Sequence, residues 1–214
     1  MSLRWHLDAG EIERESFRII EGECPELAAA LPPEHWRVAR RLIHTTADVR
    51  IADTLVFRHD PVAAGLAALR RGAFIFCDSK MLRSGLSLEK LRRLCPDYGP
   101  DRLLCHISDP DVAERARAEG LTRALCSAEK ALPVLDGGIV LIGNAPLALA
   151  RIARAILDDG LRPALVIGMP VGFVNVVEAK ELLAACPVPQ IVLEGRRGGS
   201  ATAVTSLHAI MESA

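Results

Sequence analysis

The sequence predicts an α/β fold: a single domain on a mostly parallel β-sheet, with helices on both faces and a helical segment at its N-terminus. Three observations carry this expectation. Short aliphatic and β-branched runs recur, as in Ala73–Cys77, Gly138–Ile142 and Ile191–Leu193, and such runs read as strands buried on both faces. Each run gives way to a glycine-rich or polar turn and then to a helical pattern, the order expected of right-handed βαβ crossovers. The 214 residues, 50% hydrophobic and only 4% aromatic, fit one large domain, or one domain with a small appendage, whose core is Ala, Leu, Val and Ile.

Taken in order, Glu11 to about Glu23 carries Ile12, Ser16, Ile19 and Ile20 at helical spacing. Pro32-Pro33 breaks the chain, and Glu34 to about His44 reads as a second helix. Asp60-Pro61 is an N-cap followed by proline at the first helical position, with Gly72 closing that helix and Val62, Leu66 and Leu69 as its apolar stripe. Ala73–Cys77 is a strand leaving through Asp78-Ser79-Lys80, and Leu103–Ile107 is another. Asp109-Pro110 starts a helix that ends at Gly120, and Ser127 caps a further short one. Gly138–Ile142 is a strand ending in Gly143-Asn144-Ala145-Pro146, with a helix to Gly160. The strand after Pro163 exits through Gly168-Met-Pro-Val-Gly172, and Asn175 with Glu178 offers a capping-box-like start to the next helix. Ile191–Leu193 is the last strand, leaving through Gly195-Arg-Arg-Gly-Gly-Ser200 into the final helix. These turns all fall at the carboxyl ends of strands, where parallel sheets bind ligands.

Composition removes several classes of function. A net charge of −1 argues against a nucleic acid held by bulk electrostatics. No apolar run reaches the roughly 18–20 residues that cross a membrane, and Met1–Gly10 lacks a targeting pattern, so a cytoplasmic location is expected. The six cysteines form no Cys-x-x-Cys pair and are expected to be reduced, with Cys77 and Cys105 as small hydrophobes in strand-like runs. No His pairs with a second His or Cys at ligand spacing, so no metal site is expected. His6, His35, His59 and His208 read as surface or packing residues, and His106 as a hydrogen-bonded core residue in a strand. Neither a Gly-x-Gly-x-x-Gly nor a Gly-x-x-x-x-Gly-Lys-Ser/Thr motif is present.

Candidate site residues cluster in two places. Gly195–Ser200, with Arg196 and Arg197, is either a tight turn with solvated arginines or an anion cradle at a helix N-terminus. His44 ends the second helix, three residues after Arg41 and followed by Thr45-Thr46-Ala47-Asp48, so Arg41 and His44 share a face. Either His44 complements the helix dipole, or it is an acid/base beside a cation and hydroxyls that hold an anionic substrate. Arg123, Lys80 and Arg83 are clamps for a carboxylate or solvated cations. Ser16 is a tolerated polar residue unless it faces a pocket.

Together these pieces resemble one family, the precorrin-8X methylmutases, including the cobalt-precorrin-8 methylmutases. The matching segments span nearly the whole chain: Ile12-x-x-x-Ser16-Phe17, Arg41-Leu-Ile-His44, the Gly65 to Gly72 helix with Cys77-Asp78, Thr122-Arg123 and Gly143-Asn144-Ala145-Pro146. They continue with Gly168-Met-Pro-Val-Gly-Phe173, Glu178-x-Lys180 and Gly195-Arg-Arg-Gly-Gly-Ser-Ala201. The resemblance implies a single methylmutase-like domain over residues 1–214, with helices of residues 1–50 contributing to the site and an α/β core over 51–214. It implies an isomerase of cobalamin biosynthesis that moves a methyl group from C11 to C12 of a ring-contracted tetrapyrrole, giving hydrogenobyrinate or cobyrinate. The position matching His44 is the proton donor and acceptor, those matching Ser16 and Arg41 bind substrate, and the arginine matching Arg123 lies at the site. Thr45, Lys80, Arg196 and Arg197 are expected to join them in binding. No cofactor beyond the substrate is implied, cobalt entering only as part of it, and a homodimer with its pocket near the subunit interface is implied. With the constellation assembled, the acid/base reading of His44 is the expected one.

The family pattern places an arginine immediately before the serine matching Ser16, whereas this chain has Glu15, with Arg14 one place earlier. Leu147 follows Pro146 where a threonine is common. The run His44-Thr45-Thr46-Ala47-Asp48 is more similar to cobalt-using members. Two other functions stay open at this stage: a tetrapyrrole carrier without catalysis, and an enzyme for phosphorylated small molecules using the Gly195–Ser200 loop.

Overall fold

The structure is a computed structural model that describes Trp5 and residues 8–213; His6 lies outside the described residues. Helix α1 (Ala9–Glu23) opens with a reciprocal cap in which the Asp8 carboxylate accepts from Glu11 N at 2.9 Å and the Glu11 carboxylate accepts from Asp8 N. Proline at the first turn starts both α2 (Pro25–Ala30) and α3 (Pro33–Thr46), where its missing N–H costs nothing. Helix α3 buries Val38, Ala39, Leu42 and Ile43 and stops at Ala47, whose φ is 51°. A 3₁₀ turn over Val49–Thr54 then leads into strand β1 (Leu55–Arg58).

The remaining elements alternate as expected. They are α4 (Pro61–Arg70), β2 (Ile75–Cys77), α5 (Lys80–Gly85), α6 (Leu88–Leu94), β3 (Leu103–Leu104), α7 (Pro110–Glu119) and α8 (Arg123–Ala131). After them come β4 (Ile139–Ile142), α9 (Pro146–Asp158), β5 (Leu165–Gly168), α10 (Val176–Ala184), β6 (Gln190–Leu193) and α11 (Ser200–Met211). The sheet order is β1-β6-β5-β4-β2-β3. All neighbours are parallel except β1, which runs antiparallel to β6 with Leu55 opposite Leu193. From β2 the chain steps outward to β3 and returns on the other side as β4, which puts the topological switch point between β2 and β4.

Strands β4, β5 and β6 are buried at every residue, so each supplies side chains to both faces. One face packs Ile75, Leu141, Ile167 and Leu193 with Leu42 of α3, Leu69 of α4 and Leu207 of α11. The other packs Val140, Val166 and Val192 with Leu149 and Ile152 of α9 and Leu183 of α10. Ile20 and Phe17 of α1 join the first cluster, which docks the N-terminal helices on the sheet through α3 and α11.

Several local expectations are corrected. Strand β1 is additional to the sequence expectation, because a four-residue half-buried edge strand carries little periodicity. Leu103–Ile107 is a strand only at Leu103–Leu104, so Cys105 and His106 lie in the following loop, and His106 pairs with Asp109 at 2.9 Å. Ser127 caps nothing: Gly120 ends α7 in the left-handed region, Thr122 caps α8 by accepting from Leu125 N at 3.2 Å, and Ser127 falls mid-helix and fully buried. Asn175 and Asp60 precede their helices with φ of 60° and 51° and make no side-chain cap, since a capping side chain needs extended backbone to reach the first turn. Helices α2, α5 and α6, of 6, 6 and 7 residues, are additional to the sequence expectation, being too short to show a helical period. All six cysteines are free. Among the described residues no helix is long and apolar enough to cross a membrane.

Candidate functional site

At the switch point the crevice is filled by the protein itself. Asp78, just past β2 and 1% exposed, turns its carboxylate onto the amides beyond β4, accepting from Gly143 N at 3.2 Å and from Asn144 N and Ala145 N at 2.7 Å. Burial pushes its pKa up, against the pull of these amides downward. A turn that would otherwise cradle a ligand anion is thereby stapled to its neighbour.

The adjoining turns are joined backbone to backbone. A Cβ on Gly143 would sit 2.6 Å from Ser200 Cα, and one on Gly198 would sit 2.2 Å from Met169 O; only glycine allows these approaches. Gly199 N donates to Met169 O at 2.8 Å, and the Ser79 and Ser200 hydroxyls meet at 3.2 Å. The result is a rim along the carboxyl ends of β2, β4, β5 and β6. Arg196 and Arg197 are exposed on it, Arg196 lying 5.2 Å from the ring of Phe173, which is 83% exposed. Lys80 is exposed on the same rim at the start of α5. Arg123 belongs there too. Glu129 pairs with Arg151, and Leu132 shares a groove with Ala155, so α8 runs alongside α9 in the same direction, with Arg123 exposed at its first position.

The second cluster is built from helix side chains. Ser16 Oγ of α1 lies 2.8 Å from His44 Nδ1 of α3, and Phe17 meets the imidazole edge-on at a centroid distance of 5.4 Å. His44 is half-buried in this contact. The Thr45 hydroxyl donates to Arg41 O at 2.9 Å and lies 3.1 Å from that of Thr205 on α11. One turn below His44, Arg41 bridges Glu13 at 2.9 Å and Glu212 at 2.7 Å. Although burial opposes it, the bond and charge of Arg41, aided by His44 and Lys90, hold the Glu13 carboxyl below its ordinary range.

A cleft of about 680 Å³ opens beside this cluster, lined by Arg37, Arg40, Arg41, Lys90 and Arg93 with Glu13, Glu212 and Phe17 among its walls. Its volume falls within the roughly 300–1,000 Å³ of small-molecule sites. The Arg40 and Arg41 guanidiniums lie 4.2 and 5.2 Å from the Phe17 ring centroid, which forms the partition between the cleft and His44. An ion pair links this side to the rim: Asp48, just beyond α3, meets Arg197 at 2.8 Å.

Of the residues singled out from sequence, Ser16, Arg41, His44 and Thr45 stand together where α1, α3 and α11 meet. Lys80, Arg123, Arg196 and Arg197 stand on the rim. The direct Ser16–His44 contact joins residues 28 apart in sequence, and no spacing rule could have shown it. Nor did the sequence single out Arg37, Arg40, Lys90 or Arg93, whose convergence depends on how α3 and α6 dock. Asp78 had a readable signal, a carboxylate immediately after a buried strand.

The precorrin-8X methylmutase family model matches residues 11–213. The cobalt-precorrin-8 methylmutase of Leptospira interrogans is 40% identical over 209 residues, covering 94% of this chain and 91% of that protein. The precorrin-8X methylmutase of Pseudomonas aeruginosa is 37% identical over 205 residues, covering 95% of each. Among solved structures, the precorrin-8X methylmutase of Thermus thermophilus superimposes with a TM-score of 0.82 at 44% identity, over 94% of both chains. The chain belongs to the precorrin-8X methylmutase family, whose members are isomerases of cobalamin biosynthesis.

Proposed function

We propose that this methylmutase moves a methyl group from C11 to C12 of precorrin-8X or its cobalt form, with His44 as proton donor and acceptor. The observation that carries the proposal is the 2.8 Å contact of His44 Nδ1 with the Ser16 hydroxyl. A hydroxyl can accept from Nδ1–H, so Ser16 holds that proton in place while Nε2 exchanges its own. As the imidazolium, Nε2 carries the proton to be given; once it is given, the neutral ring keeps Nδ1–H and Nε2 has the lone pair that takes the proton back. A group that must first protonate the macrocycle and then reclaim the proton needs both states.

The chemistry asks little else of the protein. Protonation by Nε2–H spreads positive charge over the ring; the methyl–C11 bond then breaks as the methyl–C12 bond forms, a formal 1,5-sigmatropic shift. Return of the proton to Nε2 leaves neither oxidation nor reduction. No cofactor enters these steps. General acid–base help of this kind contributes about 10²–10⁴-fold.

In this proposal the macrocycle lies against His44, its acetates and propionates spread between the cationic cleft and the rim arginines. Guanidinium–carboxylate pairs are among the stronger hydrogen bonds in proteins. Arg41 is already neutralised by Glu13 and Glu212, so substrate carboxylates would compete with these two for it. Arg196, Lys80 and Arg123 form no ion pair among the described residues and are open to take them; Arg197 shares its charge with Asp48. The proposal includes a cytoplasmic homodimer, with Phe173 and Val174, 83% and 73% exposed, among the apolar surfaces available to a second copy.

The deciding experiment incubates the purified protein with precorrin-8X and with cobalt-precorrin-8 and follows the absorbance spectrum, since relatives of both names match at nearly equal identity. His44→Ala is expected to bind the pigment and leave it unchanged, a loss of about 10³-fold or more in turnover. Normal turnover by that variant would overturn the assignment. Bound but unconverted pigment with the unaltered protein would favour a carrier instead.

A further inference from the structure

The rim loop is held from beneath by one residue that the proposed mechanism does not use. Lys180 of α10 is 4% exposed, yet no carboxylate pairs with it among the described residues. Its ammonium instead donates to Gly195 O at 2.8 Å and Arg197 O at 2.7 Å. The intervening carbonyl, of Arg196, accepts from Gly172 N at 3.3 Å. Three consecutive carbonyls are thus engaged by donors of the protein, while the side chains of Arg196 and Arg197 are exposed.

An ammonium buried without a carboxylate is unfavourable, and an apolar side chain of similar length would fill the volume without that penalty. What an apolar chain cannot supply is several N–H donors radiating from one point. The loop needs such a clamp. It has no regular backbone pairing of its own and three glycines at positive φ, Gly195, Gly198 and Gly199, positions with high conformational freedom when unrestrained. The clamp also reaches the other cluster, because Arg197 carries its restraint to Asp48 just beyond the helix of His44.

We propose that Lys180 is the positioning residue of the rim: by gripping Gly195 O and Arg197 O it holds the loop in the conformation that presents Arg196 and Arg197 to the anionic groups of the substrate. The inference rests on the methylmutase reading for the identity of that substrate, but the loop's restraint is independent of it. Burial lowers the Lys180 pKa to about 8. The charged groups sharing the small cleft beside it are Glu181 on its own helix, Glu194 after β6 and Arg58 on β1, the last two paired with each other at 3.2 Å.

Lys180→Met and Lys180→Arg test this. For the methionine variant the expected result is a rise of about tenfold or more in KM, with kcat at saturation held within about threefold. Amide hydrogen exchange at residues 195–199, measured without substrate, is expected to be faster by a similar factor. The arginine variant, still charged and rich in donors, should recover most of the loss. A folded methionine variant with unaltered KM, or with unaltered exchange over the loop, overturns the proposal. If the methionine variant does not fold, Lys180→Gln decides, its shorter side chain carrying one amide NH2 in place of the ammonium: unaltered KM or unaltered exchange over residues 195–199 in that variant overturns the proposal. An unaltered protein that converts neither pigment would sink the methylmutase reading, whereas the exchange measurement would still judge the clamp.

Discussion

The Ser16–His44 pair and the glycine rim lie on the same molecule, linked by the Asp48–Arg197 ion pair, and are built in opposite ways. The pair consists of side chains on two packed helices, brought to 2.8 Å by the docking of α1 on α3. The rim consists of backbone pressed against backbone: Gly143 against Ser200, Gly198 against Met169, and amides closed over the Asp78 carboxylate. A side-chain site can lose one atom group and keep its frame. A site made of main chain cannot, since any added atom must displace the chain itself. In the proposed function, reaction chemistry sits where the protein can hold a mobile proton, and recognition of a large anionic ligand sits where the frame is stiff.

That contrast can be broken in three places. The largest effect is expected from Gly198→Ala, whose Cβ would meet Met169 O at 2.2 Å. Relief requires the rim to open, so urea unfolding should show a loss of about 3 kcal/mol, with pigment affinity falling alongside. A loss below about 1 kcal/mol would mean that the rim is soft and the comparison fails.

A smaller effect is expected from acid, through His208 on α11, the helix that runs from the rim at Ser200 past Thr45 to Glu212. Its Nε2 accepts from Ser87 N at 3.3 Å, which requires the neutral ring. Burial first, and then the neighbouring Lys90 charge, depress its pKa to about 4. Because the unfolded chain binds this proton more readily, stability is present above the ordinary histidine pKa of about 6.5 and is lost as pH falls toward 4. The cost is about 2 kcal/mol once partial exposure is discounted. Melting curves between about pH 7 and 4 should show this slope, and His208→Gln should flatten it. An unchanged slope in that variant would assign the acid sensitivity elsewhere.

The smallest effect belongs to Ser16→Ala. Removing the hydroxyl leaves His44 in place but frees its tautomer, and kcat should fall about tenfold (about 1.4 kcal/mol) with KM little changed. If KM moves and kcat does not, Ser16 serves binding, and the pair is not a catalytic unit.

The rim was largely legible in the sequence, because glycine clusters after apolar runs report a backbone requirement at the position where it applies. Gly143, Gly168–Gly172 and Gly195–Gly199 all proved to be strand exits on one edge. The pair was legible only as two separate residues, His44 as a histidine at a helix end and Ser16 as a polar residue on a helix. Local rules failed where the backbone took an unexpected turn: Asn175 and Asp60 adopt left-handed φ values, and α8 starts a turn before Ser127. The edge strand β1 was invisible, since its pairing partner β6 lies some 135 residues away along the chain (Leu55 opposite Leu193) and its own four residues are only half-buried.

By itself the sequence determined the α/β class, the alternation of strands and helices and the edge on which polar turns gather. Each of these follows from local periodicity and from residues whose backbone preferences act where they stand. Only the tertiary structure decided which residues meet. It set the strand order with its switch point between β2 and β4, filled that point with Asp78, and brought Ser16 to His44. It gathered the arginines of α3 with the basic residues of α6 into one cleft, and it turned Lys180 inward beneath the rim. Those contacts depend on helix docking and loop closure, which are set by the packing of the whole core, and no segment of the chain encodes that packing on its own.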